Sequence, residues 1–199
     1  MLKRTFDVVL AGVGLLVSSP LWALIAIAIK LEDGGPVFFT QSRVGRGGVP
    51  FAAFKFRSMV TDADRQLALR SGAGDPRVTQ VGAVLRATAM DELPQLWNIF
   101  RGDMSFVGPR PLMPGEIEAC GGCSVPLEAI PGYDARHSVR PGLTGLTQVF
   151  APRDIRRAHK FRVDLIYVRN ASLWLDLRLV ALSFWITFRG RWEHRGPKL

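Results

Sequence analysis

Asp91 and Glu92 stand side by side in "RATAMDELPQLWNIFRGDMSFVGPRP" (86–111), a stretch that also carries Arg86, Arg101 and Arg110, with Arg140 further on. Two adjacent carboxylates among cations suit chemistry on phosphate. A carboxylate can attack phosphorus to give an acyl phosphate if arginines and a divalent metal neutralise the charge it approaches. On that reading Asp91 is the nucleophile. A plainer reading starts from Leu93, Leu96, Trp97 and Phe100, whose i, i+3, i+4, i+7 spacing predicts a helix with one inward face. Pro94 fits only its first turn and Gly102 is placed to end it. The helix would begin near Asp91, making Asp91 an N-cap and Glu92 a complement to the helix dipole. The same helix end is an anion site, so the arginines keep both readings open.

Other chemistry-bearing residues offer less. His137, His159 and His194 lack ligand spacing and a paired Ser or Cys, so neither a histidine triad nor a zinc site is expected. Cys120 and Cys123 form a lone CxxC in "EACGGCS" and read as two inert loop thiols.

The elements that must position these groups follow from pattern. The 199 residues suffice for one ordinary domain, and the net charge of +9 suits an anionic partner such as nucleic acid, phospholipid or a phosphate-bearing substrate. Residues 5–31, "TFDVVLAGVGLLVSSPLWALIAIAIKL", hold an apolar run long enough to cross a bilayer, too long for a signal peptide and without its cleavage site. Basic residues lie on both sides of it: Lys3 and Arg4 before, Lys30, Arg43, Arg46, Lys55 and Arg57 after. The positive-inside bias therefore draws both ends to the cytoplasm. Pro20 interrupts the backbone ladder, and Ser18 and Ser19 can bond the freed groups. A re-entrant hairpin satisfies both observations; a spanning helix with a proline kink is the alternative.

"PVFFTQ" (36–41) and "FAAFKFR" (51–57), separated by a glycine-rich turn, predict a β-hairpin. Thr61 and Asp64 resemble a capping box for a helix through about Arg70. Much of 101–152 is punctuated by Pro and Gly, which predicts surface loops, where sites are usually built. "SLWLDLRLVALSFWITFRGRW" (172–192), with Trp174, Trp185 and Trp192, reads either as an aromatic-rich helix at a membrane interface or as a buried core helix. No Rossmann fingerprint follows a strand. The fold class is therefore α+β: a re-entrant membrane helix over 1–31, and a small globular domain over 32–199 that includes the C-terminal interfacial helix.

"KFRSM" (55–59), "LRATAMDELPQLWNIFRGDMSFVGPRP" (85–111), "RHSVRPGLTG" (136–145) and "DLIYVRN" (164–170) occur in that order behind the apolar segment. Together they resemble the bacterial sugar transferase family, the monotopic phosphoglycosyl transferases, and at this length its minimal, catalytic-domain-only members. The resemblance implies transfer of a sugar-1-phosphate from a UDP-sugar to a polyprenol phosphate such as undecaprenyl phosphate. UMP is released, magnesium is the cofactor, and the product starts a surface glycan. It implies Asp91 as the nucleophile of a covalent phospho-sugar intermediate and a metal ligand, with Glu92 beside it. It also implies diphosphate binding by Lys55 and Arg57, Arg86, Arg110 between Pro109 and Pro111, and Arg140.

Asp164 matches an acidic family position near the site, a surface salt bridge being its plainer reading, and Ser19 with Pro20 matches the family's helix break. The implied location is the bacterial inner membrane, monotopic, with the catalytic domain on the cytoplasmic face among phospholipids. Leu146 stands where many relatives carry a tryptophan, and the loop 112–132 is longer than in the smallest relatives. A competing class is a non-catalytic, basic, membrane-peripheral module binding anionic lipid or nucleic acid. Nucleic acid is not expected as a partner, because the Trp and Phe residues sit in apolar runs and are not interleaved with the basic ones. Oligomeric state stays open, a homodimer included.

Overall fold

The computed structural model describes residues 2–61, 63, 75–120, 123–152 and 155–189. Leu2–Asp33 is one helix, α1, with Pro20 inside it. Pro20 has no amide hydrogen for the Leu16 carbonyl, and the Ser19 hydroxyl donates to that carbonyl instead at 2.8 Å. Ser18 adds a bond to the Gly14 carbonyl at 2.6 Å. Ser19 does the work expected of it, and the backbone stays helical through the proline.

Both ends of α1 are fastened to the rest of the chain. Near its start, Lys3 pairs with Asp176 at 2.6 Å, and Arg4 donates to the carbonyls of Ile99 and Phe100 at 2.6 and 2.7 Å. Buried Asp7 accepts from the Ser105 hydroxyl at 3.0 Å and the Phe106 amide at 3.1 Å. Near its end, Glu32 accepts from the amides of Gln80 and Val81, and Asp33 pairs with Arg57 at 2.8 Å. Ile25 and Ile29 pack there with Phe56 and Leu85.

The expected hairpin forms from β1 (Phe38–Val44) and β2 (Pro50–Phe56), antiparallel, with Phe39 opposite Lys55. The helix expected from Thr61 to about Arg70 falls almost wholly outside the described residues. Next comes α2 (Gln80–Ala87), capped by the Thr79 side chain, which accepts from the Gly82 amide. Gly82 lies so close to the preceding segment that a Cβ there would meet the Ser58 carbonyl oxygen at 2.1 Å.

The segment 90–102 departs from expectation. α3 spans Gln95–Arg101, not a helix from Asp91. Pro94 cannot donate to the Met90 carbonyl, so the Leu93 amide takes it at 3.2 Å, and Met90–Glu92 closes as a 3-10 turn. Asp91 is consequently not an N-cap. The inward face also shifts: Leu96 and Ile99 are buried with Gln95 and Asn98. Trp97 and Phe100, expected inside, stack on each other at 5.9 Å with both rings half-exposed. A tighter turn before the helix rotates its face away from the stripe counted from Leu93. Gly102 ends the helix as expected, at φ +103.

β3 (Ser105–Val107) and β6 (Gly142–Thr144) form a short parallel pair. The stretch 101–152 is thus more than surface loop, its strands being too short between glycines and prolines to stand out. β4 (Ile117–Cys120) and β5 (Cys123–Pro126) make a second hairpin. Among the described residues four further α-helices follow: α4 (Tyr133–Arg136), α5 (Leu146–Phe150), α6 (Arg157–Asn170) and α7 (Leu173–Phe188).

The main core joins Ala11 of α1 to Leu96, Ile99, Val107, Val149, Tyr167 and Leu179. One face of α7 is buried as the core-helix reading expects, and the other carries exposed aromatic residues. Asp176, Leu179 and Ile186 are buried, whereas Trp174, Phe184, Trp185 and Phe188 are exposed. Arg178 and Arg189 lie over the rings of Trp174 and Trp185. Trp192 lies outside the described residues.

Candidate active site

The turn carrying Asp91 and Glu92 is held between α2 and α3, and Ala89 leads into it at φ +56, a left-handed conformation that costs an alanine about 1 kcal/mol or more. From β2, the Lys55 ammonium reaches Glu92 Oε1 at 2.8 Å and Asp91 Oδ2 at 3.9 Å. Arg110 approaches the same Glu92 oxygen at 3.4 Å. These residues form one side of a cleft of about 330 Å³ whose wall also includes Arg86, Arg136, Thr147, Gln148, Arg157, Lys160 and Asp164.

The two carboxylates differ in character. Burial pushes the Asp91 carboxyl up to about 6, against the pull of Lys55 and with the Glu92 charge adding to the rise. Glu92 feels the same burial, but Lys55 and Arg110 outweigh it and hold the group down at about 2. The dyad therefore pairs a firmly ionised Glu92 with an Asp91 whose charge is less strongly stabilised, the condition in which a carboxylate is more basic.

The far wall is a charge-paired lattice. Arg136 is buried and donates to Asp164 at 3.0 Å, to the Arg110 carbonyl at 2.8 Å, and to His137 Nε2 at 3.0 Å. The tautomer follows from its neighbours: His137 Nδ1 donates to the Tyr133 carbonyl at 2.7 Å, leaving Nε2 to accept. Burial and the adjacent Arg136 hold that imidazole down at about 4, so it is neutral. Asp164 also accepts from the Thr147 hydroxyl, and burial pushes its carboxyl up. Its salt bridge is thus a buried wall of the cleft and not a surface pair. Arg157 pairs with Glu116, and its amide donates to Glu118 at 2.6 Å, so the β4–β5 hairpin anchors the start of α6.

The structure brings together Lys55, Arg86, Asp91, Glu92, Arg110 and Asp164. Five other candidates are absent from the cleft lining. Arg57 is engaged with Asp33, and Arg140 donates through Nε to the Gly102 carbonyl at 2.7 Å, at the opposite end of α3 from the dyad. The Pro109 carbonyl accepts from the Gly142 amide and the Pro111 carbonyl from Arg43, so these prolines shape the turn around Arg110. Arg101 lies near Asp103 at 3.7 Å.

Sequence reasoning missed Arg136, Arg157 and Lys160. A signal was present: Arg157, Lys160, Phe161 and Asp164 fall at i, i+3, i+4 and i+7, one face of a helix, and all four line the cleft.

Among the described residues no group of three or more His, Cys, Asp or Glu side chains is arranged to hold a metal. Magnesium, however, commonly takes one or two carboxylates and completes its shell with substrate phosphate oxygens and water. With Glu92 Oε1 engaged by Lys55 and Arg110, Asp91 is the carboxylate with donor capacity to offer, and it is a hard oxygen donor of the fitting kind.

The family model described as Bacterial sugar transferase matches residues 1–190. The chain belongs to the bacterial sugar transferase family. Exopolysaccharide production protein ExoY of Rhizobium meliloti is 43% identical over 195 residues, covering 90% of this chain and 82% of that protein. The UDP-glucose:undecaprenyl-phosphate glucose-1-phosphate transferase of Caulobacter vibrioides is 44% identical over 184 residues, covering 89% of this chain and 66% of its own length. A UDP-N-acetylgalactosamine-undecaprenyl-phosphate N-acetylgalactosaminephosphotransferase of Aeromonas hydrophila is 42% identical over 183 residues, with coverages of 90% and 42%. The chain thus spans about two fifths of the last of these sugar transferases. Two relatives of nearly equal similarity are named for different sugars, so overall identity does not select one.

Proposed function

We propose that this chain moves a sugar-1-phosphate from a UDP-sugar to a polyprenyl phosphate, undecaprenyl phosphate being the acceptor named for its relatives. The supporting observation is the dyad itself: an Asp91 carboxyl raised by burial, beside an ionised Glu92 clamped by Lys55 and Arg110, on a cationic cleft.

An Asp91 carboxylate oxygen attacks the phosphorus that bears the sugar, and the bond from that phosphorus to the bridging oxygen breaks, releasing UMP. The product on the protein is an aspartyl phospho-sugar. An oxygen of the acceptor phosphate then attacks the same phosphorus, regenerating the carboxylate and forming the lipid diphosphate sugar. Lys55, Arg86 and Arg110 balance charge on the diphosphate, and Arg136 holds Arg110 through its carbonyl. Asp91, with Glu92 adjacent, would hold magnesium together with substrate oxygens, and the ion when bound supplies further charge neutralisation.

The proposed setting is the cytoplasmic face of the inner membrane, with α1 entering and leaving the bilayer on one side. What supports it is that residues 3–7 and 32–33 are both tied to the same folded body, a poor match to a helix whose ends lie on opposite faces of a bilayer.

Intact-mass measurement after incubation with a panel of UDP-sugars, without acceptor, tests the reaction. A phospho-sugar adduct and at most one equivalent of UMP per site are expected, both absent in Asp91→Asn. Turnover by Asp91→Asn, or UMP release only after both substrates are present, overturns the covalent scheme. No UMP release with any UDP-sugar and acceptor would favour the non-catalytic module.

A further inference from the structure

The β1–β2 sheet has two strands, and the outer edge of β2 runs past α3. There the Asn98 side chain takes the part of a missing strand. Its Nδ2 donates to the Ala52 carbonyl at 2.7 Å and its Oδ1 accepts from the Phe54 amide at 2.9 Å. One amide thereby satisfies an acceptor and a donor on the edge where a third strand would pair. Nδ2 also donates to Asp103 at 3.1 Å, which fixes the orientation of the amide, and Asn98 is fully buried. The Asn98 carbonyl accepts from the amides of Gly102, Asp103 and Met104, so the residue is locked at both ends.

The consequence lies one residue on. Lys55 follows Phe54, and α3 follows the turn carrying Asp91 and Glu92. We infer that Asn98 is a positioning residue for the proposed reaction: by bolting β2 to α3 it sets the separation between the Lys55 ammonium and the two carboxylates. The Asn98 bonds act close to Lys55, whose stem has four rotatable bonds and whose strand is paired to β1 on one side only, and they add to the packing of Phe56 against Met90 and Leu93. The inference rests on the proposed function for its catalytic meaning. The geometric part stands apart from it.

The test uses the full chain in detergent or nanodiscs, with Asn98→Ala, Lys55→Met and the double variant. With Cys120 and Cys123 replaced by serine, the rate of disulfide formation between Lys55→Cys and Glu92→Cys reads the separation of β2 from the dyad turn, the two side-chain ends being 2.8 Å apart in the parent chain. That rate should fall at least tenfold when Asn98→Ala is added, at a temperature where the variant remains folded. In parallel, UMP release per folded molecule should fall at least tenfold in Asn98→Ala but less than twofold when the change is made in Lys55→Met.

A thermal midpoint that falls while the disulfide rate stays put would make Asn98 a structural residue only and overturn the inference, as would equal losses of UMP release in both backgrounds. If Asn98→Ala does not fold, Asn98→Ser, which keeps a hydroxyl for one of the two strand groups, is carried through the same cross-linking measurement. Should no UDP-sugar be turned over, the proposed function fails while the cross-linking rate still decides the role of Asn98.

Discussion

The Lys55 ammonium is closer to Glu92, at 2.8 Å, than to Asp91, at 3.9 Å. One cation thus stabilises the first carboxylate more than the second, and the two adjacent acids diverge. If Asp91 must be ionised to attack, kcat/KM for UMP release should be flat at neutral and alkaline pH. It should fall by about tenfold per unit as pH drops below about 6, the value to which burial raises Asp91. Initial rates between pH 5 and 8 check this, and a profile flat down to pH 5 contradicts it.

The same shift has a sign for stability. A folded-state carboxyl raised above its ordinary value of 3.8 binds its proton more tightly than the unfolded chain does, so the folded state loses stability as pH rises from about 4 through about 6. Asp91→Asn removes that penalty, and should raise the unfolding free energy at pH 8 by on the order of 1 to 3 kcal/mol, with a corresponding rise in the thermal midpoint. The gain should shrink below about pH 4, while activity falls to background. Paired melts at pH 4 and 8 measure it, and a variant less stable than the parent at pH 8 would show that the Lys55 attraction outweighs burial.

Ala89 holds a left-handed backbone immediately before the dyad. Ala89→Gly should stabilise the fold by about 1 kcal/mol by relieving the Cβ contact, partly offset by the entropy of the unfolded glycine. Loosening the turn should lower kcat several-fold with little change in the midpoint of the pH profile. Melting and steady-state kinetics on one preparation separate the two effects.

Gly82→Ala should cost about 1 to 3 kcal/mol, because its Cβ would lie 2.1 Å from the Ser58 carbonyl oxygen and α2 must move to relieve the overlap. Arg86 rides on the last turn of α2. KM for the UDP-sugar should therefore rise more than kcat falls, read at a temperature where the variant remains folded.

Topology is checked by labelling. With Cys120 and Cys123 replaced by serine, Leu2→Cys and Val60→Cys should react with an impermeant reagent from the same face of sealed vesicles. Pro20→Ala restores the amide that the Ser19 hydroxyl replaces, and should shift part of the population to a full span. Labelling of the two positions from opposite faces in the parent chain rules the re-entrant arrangement out.

The β1–β2 hairpin was legible because two β-rich runs flank a glycine turn, and the dyad because adjacent carboxylates among arginines are conspicuous. The phase of α3 was not legible: Pro94 exchanges an α-turn for a 3-10 turn, and counting by 3.6 from Leu93 then assigns Trp97 and Phe100 to the wrong face. The β3–β6 pair escaped because three residues a side give no period to read, and parallel partners 37 residues apart in register leave no local mark. In "RHSVR" both arginines were visible, yet only tertiary geometry sends Arg136 to the cleft and Arg140 to the Gly102 carbonyl.

The fastening of α1 at both ends carries a mechanical consequence. On the proposed topology, the depth to which the helix sinks among acyl chains also sets how high Asp91 rides above the bilayer, since neither can change without breaking Lys3–Asp176 or Asp33–Arg57. The protein would then have a waterline. On the proposed reaction, a lipid-borne phosphate would climb only to that height, its long tail still immersed, and the sugar arriving from solution would meet it at a level that thermal bobbing of a tethered domain would blur.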